Sequence, residues 1–264
     1  MRVFVSLLVL ALALTPVDSR AKDAVSVAAA ANLVFVIEDL NAAFRAEEPD
    51  THLTVATGAS GNLVAQITHG APFDVFLSAD TDYPQALIAA GVADAASFKI
   101  FAIGQLVLWT THPVLLADAA DADPATRIAA LVRSPVVRKL AIAHSDTAPY
   151  GRAATQALAT LGLWEAAHPK LVVGESISQT AQFVETGNAD AGFVALSLVL
   201  SPKLKNRGTW LEVPAAWHEP LAHGAVLTSR GAKNPAAARY LAFLGSERAR
   251  KIFQRYGYDV PSAD

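Results

Sequence analysis

From Ala24 onward the chain alternates short apolar runs with longer runs whose apolar positions recur every three or four residues. "AVSVAAA" is followed by "LVFVIEDLNAAFRAE", "HLTVA" by "LVAQITHG", and "FDVFLSAD" by "TDYPQALIAAG". The middle repeats the design: "KLAIAHSD" precedes "RAATQALATLG", "KLVVGE" precedes "QTAQFVETG", and "ADAGFVAL" reads as another strand. The first kind of run fits a buried strand and the second an amphipathic helix. Such alternation predicts an α/β fold with sheets covered by helices on both faces. "AHGAVLTS" is a late strand, and "NPAAARYLAFLGSERARKIFQRYG" gives the closing helices, with Asn234 as N-cap and Pro235 at the first helical position. The alanine-rich "LLADAADADPATRIAALVRS" reads as a solvated surface segment ending in a helix.

Residues 1–21 stand apart. Arg2 precedes an apolar run from Val3 to Leu14, and Ser19-Arg20-Ala21 puts small residues where a signal peptidase reads them. We expect a cleaved export signal, because the run falls short of the ~20 apolar residues that span a bilayer. The chain has no cysteine, so neither a disulfide nor a lipid-anchored cysteine is available, and a free periplasmic protein is expected. Without the signal, 19 basic residues face 23 acidic ones and no basic run occurs. This excludes nucleic acid and anionic membrane surfaces as partners. The 53% apolar composition suits two lobes with real cores.

Four of the strand-to-helix joints present backbone N–H groups and short polar side chains with no formal charge. They are Ala31-Asn32, Ser60-Gly61, Pro149-Tyr150-Gly151 and Ser176-Ile177-Ser178. In an α/β sheet such joints lie at the carboxyl ends of strands, where ligands bind. A helix N-terminus offers unpaired donors and about half a positive charge, so several converging on one point would hold an oxyanion without lysine or arginine. Asn32 and Ser60 are expected as N-caps, and Ser176 with Gln179 has the capping-box spacing that leaves the Ile177 N–H near the exposed end. Capping alone would account for any one of these joints; their recurrence points to a site.

The stretches "VAAAANL", "TGASGNLVAQITHGAPFDVFLSAD", "TAPYG" and "IFQRYGYDV" together resemble the periplasmic molybdate-binding proteins of ABC importers, over nearly the whole mature chain. "GAPFDVFLSAD", Gly70 to Asp80, is the most specific piece. The resemblance implies the two-lobed, type II solute-binding fold with a hinge of two crossover strands. Lobe 1 would comprise residues 22–102 and 222–264, and lobe 2 residues 103–221. It also implies a bound molybdate or tungstate touched through its oxygens, not its metal, by Asn32, Ser60, Tyr150 and Ile177, with Ala31 and Gly61 as additional candidates. No cofactor and no catalysis are implied; the partner would be a membrane permease, and a monomer is expected. Asn32 stands where many relatives carry serine, and Ala195 where many carry a tyrosine whose hydroxyl reaches the anion.

Molybdate, tungstate and sulfate are fully deprotonated at neutral pH and want only donors, whereas phosphate keeps a proton and needs a buried acceptor. No Asp or Glu sits within the four joints, which argues against phosphate. Three other readings are available. Ser60 in "GASGN" lies near a nucleophile elbow, but Asn62 replaces its second glycine and no histidine stands at a diagnostic spacing. His218, Glu219 and His223 in "WHEPLAHG" suggest a metal, but Pro220 intervenes and a solvated turn is expected. An organic solute shares the fold but needs aromatic platforms or a carboxylate-binding arginine; only Tyr150, with Arg152 close behind, answers to that.

Overall fold

The computed structural model describes residues 23–117 and 122–261, so the expected export signal at 1–21 lies outside the described residues. The chain runs β1 (Ala24–Ala30), α1 (Val36–Glu47), β2 (His52–Gly58), α2 (Ser60–Thr68), β3 (Val75–Leu77), α3 (Asp82–Ala89), β4 (Lys99–Gly104) and β5 (Leu106–Thr110). It continues through α4 (Val114–Ala117), α5 (Pro124–Arg133), β6 (Leu140–Ala143), α6 (Pro149–Thr160), α7 (Trp164–Ala167), β7 (Leu171–Gly174), α8 (Ile177–Glu185) and β8 (Ala191–Ala195). It ends with α9 (Leu196–Val199), β9 (Thr209–Glu212), β10 (Leu221–Leu227), α10 (Pro235–Phe243) and α11 (Glu247–Arg255).

These strands form two five-stranded sheets, ordered β2-β1-β3-β10-β4 and β7-β6-β8-β5-β9. The two follow one plan. Three parallel strands stand at one side, and the fourth strand in each order pairs antiparallel with both neighbours. The chain passes from the first sheet to the second at Gln105, between β4 and β5, and returns between β9 and β10. In the second sheet β5, β6 and β8 are buried along their whole length, which is why they read as unbroken apolar runs. The edge strand β2 is only partly buried. Asn234 caps α10 by accepting from Ala236 N–H, with Pro235 first in the helix, as the sequence suggests. The acidic segment ends in α5, capped by Asp123.

The parallel pairs end in register, Ala30 opposite Gly58 and Ala143 opposite Gly174. Each pair therefore delivers two joints side by side. The first sheet is pinned by Asp74, 1% exposed. Its Oδ2 accepts from Ser26 N–H of β1 at 2.8 Å and its Oδ1 from Arg230 Nε at 3.0 Å, while its own carbonyl accepts from Thr228 N–H at 3.0 Å. Asp74→Ala would leave the part-buried Ser26 N–H unpaired and remove the Arg230 ion pair, and should lower stability by about 1–3 kcal/mol, read as an earlier urea midpoint with an unchanged slope.

Candidate functional site

The joints after β1, β2, β6 and β7 meet at one small cavity between the sheets. Asn32, Ser60, Tyr150 and Ile177 all line it, together with Ala31. The cavity holds about 190 Å³ of empty space, below the roughly 300–1,000 Å³ of sites for drug-sized organic ligands. Among the described residues no charged side chain lines the cavity.

The donors come from helix beginnings. Ser60 and Ile177 are the first residues of α2 and α8, Tyr150 is the second of α6, and Asn32 is the second of a 3₁₀ turn over Ala31–Leu33. Backbone N–H groups at these positions have no partner within their own helix. Among the described residues none of the four donates to any other element. Ser60 Oγ accepts from Ala79 N–H at 3.1 Å, so its own hydroxyl hydrogen remains available as a fifth donor. Ser176 caps α8 by accepting from Gln179 N–H at 3.3 Å, as expected. Asn32 and Ser60, in contrast, are not N-caps: Ala30 and Ala59 hold those positions, with no side-chain cap. Displacing the cap onto alanine leaves the polar residues inside the first turn, where their N–H groups are free.

Gly61 takes a different part from the one expected. It is not among the residues that line the cavity, and its N–H donates to the Thr147 carbonyl at 2.9 Å. A side chain there would meet the Tyr83 hydroxyl at 2.6 Å and the Thr147 Cα at 3.1 Å. Gly151 is constrained in the same way, since a Cβ would collide with the Ala143 carbonyl; its absence lets α6 begin close against β6. Ala195 is fully buried at the end of β8 and does not line the cavity.

Behind Asn32 lies a buried polar cluster. Asn32 Nδ2 stands 2.7 Å from both His223 Nε2 and the Tyr258 hydroxyl, which commits the amide nitrogen to the protein. The Asn32 carbonyl accepts from Ser197 Oγ at 3.0 Å and from the Tyr258 hydroxyl at 3.3 Å. Asn32 Oδ1 and the Tyr150 hydroxyl are buried with no hydrogen-bond partner. The expectation of a solvated turn fails for His223: it lies on β10, 0% exposed, because Pro220 precedes the strand instead of breaking it. His223 Nδ1 is 2.8 Å from the Leu221 carbonyl. With the hydrogen on Nδ1, Nε2 is the acceptor for Asn32. Burial pushes the imidazole down to about 4, outweighing the Leu221 hydrogen bond, which acts in the other direction.

Fold and site together define a two-lobed solute-binding protein whose cavity is built from donors and carries no charge. The chain belongs to the bacterial extracellular solute-binding protein family, whose model matches residues 25–259. It is 40% identical over 238 residues to the molybdate-binding protein ModA of Azotobacter vinelandii, covering 89% of this chain and 90% of that one. It is 39% identical to the ModA of Rhodobacter capsulatus, covering 88% of this chain and 86% of that one. The solved periplasmic molybdate-binding protein of Azotobacter vinelandii superposes with a TM-score of 0.81 and 32% identity, covering 90% of this chain and all of that one.

The buried histidine gives a stability signature. An unfolded histidine titrates near 6.5, so between about 6.5 and 4 the unfolded chain takes up a proton that folded His223 refuses. Stability should therefore fall as pH drops through that window, by about 3 kcal/mol in all. His223→Gln removes this titration, and chemical unfolding of both proteins from pH 7 to 4 should show the smaller slope in the variant.

Proposed function

We propose that this chain captures molybdate, and its analogue tungstate, outside the cytoplasm and hands it to the membrane permease of an ABC importer. One observation carries the reading: four residues whose N–H groups have no partner among the described residues, one of them with a free serine hydroxyl hydrogen, line one compact, uncharged cavity. A fully deprotonated tetrahedral oxyanion offers acceptors in every direction and asks for nothing else. Asn32, Ser60, Tyr150 and Ile177 are its contacts in this reading, with Asn32 acting through its N–H. The names of the relatives from Azotobacter and Rhodobacter point the same way.

In this reading the protein is a periplasmic monomer and makes or breaks no bond in its cargo. Residues 22–102 with 222–264 form one lobe and residues 103–221 the other. The lobes close about the crossings near Gln105 and Leu221, each supplying two of the four joints. Closure excludes water, which strengthens each N–H to oxygen bond. Phosphate is disfavoured because, among the described residues, no carboxylate lines the cavity to accept its proton. The size of the cavity argues against an organic solute.

Calorimetric titration with molybdate, tungstate, sulfate and phosphate, each separately at neutral pH, tests the reading. One-to-one binding of the first two and silence from phosphate is expected; binding of none would sink it. Ser60→Ala should weaken molybdate about 10- to 100-fold through loss of a hydrogen bond to a charged group, and should cost about 1 kcal/mol of stability because Ala79 N–H loses its acceptor. Unaltered affinity would remove Ser60 from the site.

A further inference from the structure

The most specific sequence motif ends at Asp80, which does not line the anion cavity. Its carboxylate is buried, with the side chain 8% exposed. Oδ1 accepts from Ser78 Oγ at 3.0 Å and from Tyr83 N–H at 3.2 Å. Those partners belong to the segment that follows β3 of the first sheet. Oδ2 accepts at 2.6 Å from Nη2 of Arg152, on α6 of the second. Arg152 lies just inside the start of α6, where a cation opposes the helix dipole. The Asp80 carboxylate offsets that opposition. Asp82 and Glu219 lie 3.8 Å from the same guanidinium, but both are largely exposed.

Two more bonds cross beside this pair. The Tyr83 hydroxyl donates to the Asp146 carbonyl at 2.8 Å, and Gly61 N–H donates to the Thr147 carbonyl at 2.9 Å. All three land on residues 146–152, the segment that carries the Tyr150 N–H to the cavity. The first-sheet partners are equally concentrated, at Gly61 and between Asp80 and Tyr83.

We infer that Arg152 and Asp80 are positioning residues that latch the two lobes together and hold the α6 N-terminus over the anion, setting how fast it leaves and not which anion is chosen. The inference rests on the proposed oxyanion reading. Opening the cleft strips Asp80 of its cationic partner while leaving it two local donors, so the pair favours the closed form whatever the cargo. Because neither side chain lines the cavity, weakening the latch scales all bound anions alike.

The test uses the full mature protein with Arg152→Met, Asp80→Asn and the double variant, measured by stopped-flow release of molybdate and of tungstate. Each single variant should release both anions roughly tenfold faster, as loss of one partner of a part-exposed charge pair acts on dissociation. The double variant should be no faster than the worse single one. The molybdate-to-tungstate affinity ratio should hold. Unchanged release in Arg152→Met, additive effects or an altered ratio would overturn the latch. Arg152→Met carries the test alone if Asp80→Asn does not fold. If wild type binds neither anion, the oxyanion reading fails separately, and small-angle scattering without anion decides the latch: a larger radius of gyration in Arg152→Met supports it, and equal radii overturn it.

Discussion

A buried N–H group without an acceptor costs about 1–3 kcal/mol, and in this protein four residues whose N–H groups have no partner among the described residues line one cavity, with a serine hydroxyl beside them. The debt cannot be settled from within, because each N–H sits where helix geometry supplies no carbonyl. Closing over an empty cavity leaves all of them unmet; closing over a group with acceptors on every side meets them together. The N-terminal ends of α2, α6 and α8 oppose the negative charge of such a group through backbone dipoles, so no lysine or arginine is needed.

The rest of the frame serves this convergence. In each sheet the first two parallel strands end in register on alanine and glycine, Ala30 with Gly58 and Ala143 with Gly174. Small residues there let the joints approach. Asp74 locks β1 to the segments around β3 and β10, and Asp80 accepts a hydrogen bond from Arg152 at the start of α6 in the second sheet's part of the chain. The segment Gly70–Asp80, the most recognisable in the chain, thus holds the frame through Asp74, gives Ala79 to the cavity wall and reaches Arg152 through Asp80.

The α/β alternation and the four joints were legible because strand periodicity, helix periodicity and uncharged polar punctuation are local properties of the chain. What escaped was decided by tertiary contact. The caps at Ala30 and Ala59 carry no side-chain signal, since alanine offers no acceptor. His223 looked like part of a turn because Pro220 precedes it, yet the strand starting at Leu221 buries it against Asn32, 191 positions away in sequence. Tyr258 lay within the quoted "RYGYDV", but only the topology brings its hydroxyl to Asn32. Gly61 was read as a ligand neighbour; its N–H goes to Thr147 because the second lobe stands there.

The exchange of strands between the sheets has a consequence for how the molecule comes into being. The second sheet is built entirely from residues 106–212, so its parts are all present before the chain is finished. The first sheet cannot be completed until Leu221–Leu227 arrives to fill the place between β3 and β4. The part of the polypeptide nearest the N-terminus thus depends on one of the last strands to be whole, and a chain truncated before that point holds β3 with an open edge where a strand belongs.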